Sequence, residues 1–197
     1  MDFTSSDETV MLRGMKHAMA PYGEPEGVLT TRTAGERALA DLEKAIAAQQ
    51  HDTVIAIDFG GVRAISVPFA DAFLGRLLTG RVAGYYEDHT IVLIDASEDV
   101  RETIGLALRY RRLVALALGK GGPALLGADE VLEETMQAAF QLEDWFSVLD
   151  LAERLHLTPQ AANNRLRHLI KSGALQRERI NPRHGGREFR YRVPAAA

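Results

Sequence analysis

The stretch Leu151-Ala-Glu-Arg-Leu-His-Leu-Thr-Pro-Gln-Ala-Ala-Asn-Asn-Arg-Leu-Arg-His-Leu-Ile-Lys-Ser-Gly173 holds two helical patterns, a tight turn between them and a closing glycine. Just upstream, Ser147 is placed to cap the first helix, in which Val148, Leu151, Ala152 and Leu155 fall on one face. After the turn His156-Leu157, Thr158 and Pro159 form an N-cap with proline at the first helical position, where its missing N–H does no harm. In the helix expected over 159–172, Ala162, Leu166, Leu169 and Ile170 line one side, and Gly173 supplies the stop. The other side offers Gln160, Asn163, Asn164, Arg167, His168 and Lys171.

Beyond Gly173, apolar and charged residues alternate over 174–180 and again over 187–193, on either side of the turn-forming Asn181-Pro-Arg-His-Gly-Gly186. That is the pattern of a two-stranded β-ribbon, and Arg177, Arg179, Arg183, Arg187, Arg190 and Arg192 make it basic. A helix pair whose second member is polar and basic outside is the arrangement that lays a helix in the major groove. Amides and guanidinium groups match base edges there, and arginines on a ribbon suit phosphates. Double-stranded DNA is therefore the expected partner, with Thr158, Gln160, Asn163, Asn164, Arg167, His168, Lys171, Arg177, Arg179, Arg183, His184, Arg187 and Arg190 as candidate contacts. Arg165, on the flank of the helix, is read as support for the fold.

Charge points the same way. From Trp145 onward the chain carries 10 Lys and Arg against 4 Asp and Glu, a net of +6, although the whole chain is at -4. The other 144 residues are therefore at -10 and would repel a polyanion, leaving contact to the basic end.

The block from Leu151 through Asn163-Asn-Arg-Leu166 to Gly173-Ala-Leu175 resembles the winged helix-turn-helix superfamily, over roughly residues 128–194. The resemblance implies DNA as partner but no particular operator; the expected assembly is a homodimer in which each protomer supplies one recognition helix to a two-part site.

Nearer the start, strands and helices alternate. Thr33 and Glu36 have capping-box spacing ahead of a helix carrying Ala38, Leu42, Ala45 and Ile46 and ending near Gln50. Buried strands are expected at 53–59 and 90–95 and a third at 113–118, with helices over 67–79, ended by Gly80, and over 100–112. A short strand is expected near 10–12, and a further amphipathic helix over 129–144. This order gives an α/β domain, a parallel or mixed sheet covered by helices. The run Asp58-Phe-Gly-Gly-Val-Arg-Ala-Ile-Ser-Val-Pro-Phe-Ala-Asp71, with Leu29-Thr-Thr-Arg-Thr33 before it, resembles the STAS-like family related to anti-sigma-factor antagonists, over roughly 28–118. The resemblance implies a domain that docks a protein or binds a small ligand without catalysis. The family's phosphate-accepting serine opens the helix after the Asp-containing strand. Here that position falls on Val67 or Pro68, which argues against a phosphorylation switch; Ser66, next door, reads as a helix cap.

The expected organisation is an N-terminal strand and loop segment at 1–27, a STAS-like α/β domain at 28–118, a linker at 119–127 and a winged helix-turn-helix at 128–197. Asp58, Ser66 and Asp95 are the candidate ligand or partner residues, since ligands often meet open α/β sheets at the carboxyl ends of strands. Gly119-Lys-Gly-Gly-Pro123 lacks the Gly-Lys-Ser/Thr ending of a phosphate-binding loop. No catalytic order, metal-ligand spacing or dinucleotide fingerprint stands out, so neither enzyme activity nor a cofactor or metal is expected. The chain has no cysteine, suiting a reducing compartment. Residues 1–6 do not look like a secretory signal, and the longest apolar run, 113–118, is far short of the ~20 residues that span a bilayer. A cytoplasmic protein without a membrane partner is expected. Two competing readings are a protein-interaction adaptor of the anti-sigma-antagonist type, which would not bind DNA, and an enzyme acting near Asp58, Ser66 and Asp95.

Overall fold

The computed structural model describes residues 14–119, 122–142, 144–180 and 188–194. The strand expected near 10–12 lies outside them. The fold is a mixed α/β arrangement built on a five-stranded sheet in the order β1 (Gly14–Ala18), β3 (Val54–Asp58), β5 (Thr90–Ile94), β6 (Ala115–Leu118), β7 (Ala124–Leu126). The first four strands are parallel and β7 is antiparallel to β6. A small parallel pair, β2 (Val28–Leu29) with β4 (Ala64–Ile65), lies outside this sheet.

Strand order dictates where the helices go. The four parallel strands progress in one direction, so right-handed crossovers place every connecting helix on the same face. These are α1 (Arg32–Ala47), α2 (Val67–Ala70) continuing through a π-turn at Asp71–Gly75 into α3 (Arg76–Val82), and α4 (Glu98–Arg111). Leu42, Phe69, Phe73, Leu77, Ile104 and Leu108 from these helices close over Ile55, Ile57, Ile91 and Leu93. Because strand side chains alternate between faces, Val54, Val92, Leu116 and Leu118 point the other way and need a second cover.

The remainder of the chain supplies it. Met136 and Ala139 of α5 (Glu130–Phe140), Leu151 of α6 (Val148–Arg154), and Leu166 and Leu169 of α7 (Pro159–Lys171) share one buried cluster with the back of the sheet. The chain ends in a ribbon, β8 (Gln176–Ile180) antiparallel to β9 (Glu188–Arg192).

Several local expectations shift. Thr31, not Thr33, caps α1, its hydroxyl accepting from the Ala34 N–H at 3.1 Å. Gly80 does not stop α3; the helix runs to Val82, and Gly84 takes the left-handed turn, at φ +99°. Residues 124–126, within the stretch read as linker, form the antiparallel edge strand, and Gly14–Ala18, placed ahead of the α/β domain, forms the opposite edge. Both continue a hydrogen-bond ladder that would otherwise end exposed. Among the described residues no helix is long and apolar enough to cross a membrane.

Candidate nucleic-acid interface

The helix pair is fixed by caps at both starts. At α6, Ser147 and Asp150 form a reciprocal capping box, with Ser147 N–H donating to Asp150 Oδ2 at 2.7 Å and Asp150 N–H to Ser147 Oγ at 3.3 Å. The turn passes through His156 in the left-handed region, at φ +52°. Thr158 then caps α7 by accepting from the Ala161 N–H at 3.2 Å, with Pro159 at the first helical position.

Orientation of α7 follows from its apolar side. Ala162, Leu166 and Leu169 are fully buried. At 100° per residue, Gln160, Asn164, Arg167, His168 and Lys171 then fall within an arc of roughly 100° on the opposite side, and all five are exposed. Asn163 sits at the margin of that arc. It is half-buried and lines a crevice with Ser147, Phe189 and Tyr191, between the start of α6 and the ribbon. Arg165 turns back to α5, donating to Glu134 Oε2 at 3.0 Å and Thr135 Oγ1 at 3.4 Å.

The ribbon is tied to the chain ahead of α6 by a bridge in which Phe146 and Tyr191 exchange both backbone hydrogen bonds at 2.8 Å. Its arginines divide into two sets. Arg190 is neutralised by Glu178 across the ribbon, at 2.9 Å, and lies over the Trp145 ring, 5.1 Å from its centroid. Arg192 donates to Gln176 Oε1 at 2.6 Å and stacks on the same ring at 4.7 Å. Arg177 and Arg179 project from the other face of the ribbon and are exposed. Arg177 lies 4.8 Å from the centroid of Phe189. Among the described residues, Arg167, Lys171, Arg177 and Arg179 have no ion-pair partner, so their charge is available to an external anion. Arg190, a candidate DNA contact from the sequence, differs from that set in having an acidic partner, Glu178, within the chain. Arg183, His184 and Arg187 lie outside the described residues.

Two residues that sequence reasoning passed over hold this surface in place. Trp145 is the plate on which Arg190 and Arg192 stack. Arg81 of α3 is only 8% exposed and donates to the carbonyls of Glu87, at 3.1 Å, and Ile170, at 3.5 Å. Ile170 lies in the last turn of α7, where a cation is favoured by the helix dipole, and burial opposes that same charge. Gly173 passes directly beside the Arg81 Nε. A lone arginine in a helix carries no sequence signal of such a role.

The three candidates of the α/β half separate. Asp58 ends β3 and Asp95 follows β5, and both act on the Lys16 ammonium; Lys16 Nζ lies 2.9 Å from Asp58 Oδ2. Partial burial works to raise the Asp58 carboxyl, but hydrogen bonds from Lys16 and the Gly60 N–H outweigh it and hold the group below the usual carboxylate range. A carboxylate held ionised in this way is suited to a counter-ion role rather than to proton transfer. Ser66 belongs elsewhere. Its oxygen caps α2, accepting from the Phe69 N–H at 3.2 Å, and its hydroxyl donates to the Thr30 carbonyl. Among the described residues no group of three or more His, Asp or Glu side chains is placed to hold a metal.

No family model matches the chain, and no curated protein matches it. Among solved structures, one described as a possible transcriptional regulator from Methanosarcina mazei Go1 is 18% identical over 35% of this chain and 58% of its own, with a TM-score of 0.32. A likeness that partial carries no argument about fold or function.

Proposed function

We propose that the chain is a DNA-binding transcription regulator in which α6, α7 and the β8–β9 ribbon act as a winged helix-turn-helix. In this reading α7 enters the major groove with Gln160, Asn164, Arg167 and Lys171 toward base edges and phosphates. The ribbon carries Arg177 and Arg179 to the flanking backbone. The α/β half, as a STAS-like domain, senses a ligand or partner or joins two protomers, and no catalytic step is assigned to it. As a dimer the protein would read half-sites about 34 Å apart, one helical turn of duplex.

The observation that carries the reading is the division of α7: one side locked into the shared core, the other presenting unpaired cations and amides to solvent. A cation that already has an internal partner contributes little to an outside anion, and Arg167 and Lys171 have none among the described residues. The test is selection of bound fragments from a random duplex pool by the purified full chain, followed by mobility shifts on the enriched site. Arg167→Ala should weaken binding about tenfold or more, the size of a lost charged contact, while Arg109→Ala, at an exposed position of α4, should leave it unchanged. An unenriched pool, or equal affinity for all three proteins, contradicts the assignment. An unenriched pool together with a stoichiometric co-purifying protein would favour the adaptor reading.

A further inference from the structure

The C-terminal elements do not cover the whole back of the sheet. Toward β1 they leave a cleft of about 670 Å³, within the range of small-molecule sites. Ala56 of β3 and Ile94 of β5 line it from the sheet, Phe140 of α5 and Val193, just past β9, from the opposite layer. Lys16 and Asp95 line its polar end, which lies at the carboxyl edge of the parallel strands, where ligands of open α/β sheets bind.

The charge of that end is unbalanced. Lys16 is engaged by Asp58 at 2.9 Å, and the other Asp58 oxygen accepts from the Gly60 N–H at 2.8 Å. Asp95 adds a second carboxylate acting on the same ammonium. Among the described residues the cleft lining carries one cation, Lys16, already paired with Asp58, against the carboxylates of Asp95 and Asp144, and Asp95, although it interacts with Asp58, forms no ion pair of its own. Asp95 is also held in the left-handed region, at φ +55°, a conformation uncommon outside glycine. An anionic ligand would meet repulsion here, and a bare metal ion would lack a third protein ligand among the described residues. Apolar walls favour a ligand with an apolar body over water alone.

We infer that this cleft binds a small organic amine, its ammonium paired with Asp95 and its apolar body lying on Ala56 and Ile94 beneath Phe140. The occupant touches the sheet, α5 and the residue following the ribbon at once. This gives the sensing half of the proposed regulator a ligand class. It rests on that proposal only for the effect of occupancy on DNA, since amine binding is a property of the cleft alone.

The test is ligand-observed saturation-transfer NMR on the full chain. The probes are phenethylamine, tryptamine and octylamine, each set against the carboxylate of the same skeleton. At least one amine should bind, about tenfold or more tighter than its carboxylate partner. Asp95→Asn, which suits the left-handed backbone, should lose about tenfold of that affinity, the size of a lost charge-assisted contact. Phe140→Ala, at a half-exposed position on the cleft wall, should also weaken it while leaving thermal unfolding of the chain unchanged. No transfer from any amine at several millimolar, equal binding of amine and carboxylate, or binding indifferent to both variants overturns the inference. Duplex affinity with and without the best amine is measured separately, so failure of DNA binding leaves the result on the cleft intact.

Discussion

Leu166→Ala tests whether the helix pair and the α/β half behave as one folded unit. Leu166 is 0% exposed and belongs to the cluster that joins Val92 of the sheet, Met136 of α5 and Leu151 of α6. The substitution removes three buried carbons, about 2.4 kcal/mol at ~0.8 kcal/mol per methylene. The unfilled space adds to this, giving about 3 kcal/mol, within the usual span for Leu→Ala in a core. With a urea dependence of roughly 2.5 kcal/mol per molar, the midpoint should fall by about 1.2 M. Fluorescence of Trp145, the single tryptophan, reports the C-terminal elements, and far-UV circular dichroism reports the whole chain. Because strands and helices share the cluster, the two signals should coincide in both parent and variant. A tryptophan transition that precedes the dichroism transition, or a loss below about 1 kcal/mol, would refute the shared core.

Three further outcomes follow from local geometry. Gly173→Ala should destabilise the chain by about 1–2 kcal/mol, the cost of a side chain in the left-handed region, because Gly173 has φ +79° and an added Cβ would stand 3.3 Å from Arg81 Nε; a urea titration measures it. Hydrogen bonds from Arg111, at 2.5 and 3.1 Å, together with Arg32 at 3.2 Å, hold the Asp71 carboxyl below its ordinary range. Its folded value is below its unfolded one, so this stabilisation is present above the ordinary carboxylate range and is lost as acid carries the pH down through the depressed value. Asp71→Asn should therefore lower urea midpoints at neutral pH and flatten their fall below about pH 4. Arg179→Ala should reduce the salt dependence of duplex binding while Arg190→Ala changes it little, since only Arg190 already has an acidic partner.

The helix pair was legible because its signals are local. Ser147, Thr158-Pro159 and Gly173 each act within one turn of helix, and they set the limits of α6 and α7 to within a residue or two. The strands at β3, β5 and β6 were legible for a related reason, since a β-branched or apolar run buried on both faces needs no partner to be recognised. What covers the second face was not legible. Nothing in Val54 or Val92 tells whether its neighbour is a crossover helix or a helix more than forty residues further along, and only the monotonic strand order decides it. The edge strands escaped for the same reason: Gly14–Ala18 is weakly apolar, and Ala124–Leu126 follows a glycine-rich stretch that looks like a spacer. At the candidate interface, residue type alone could not separate Arg190 from Arg179, because the difference is a partner across the ribbon. Asn163 and Asn164 are adjacent and identical, yet one helical step places the first in the crevice beside Phe189 and Tyr191 and the second in solvent.

The salt dependence of duplex binding by the unmodified chain tests the central claim most directly. If Arg167, Lys171, Arg177 and Arg179 all meet phosphates, a log–log plot of affinity against salt concentration should slope at about -3.6 per protomer, or more steeply. A slope near zero, or no retention on duplex DNA at low salt, would mean that the exposed face of α7 serves something other than nucleic acid.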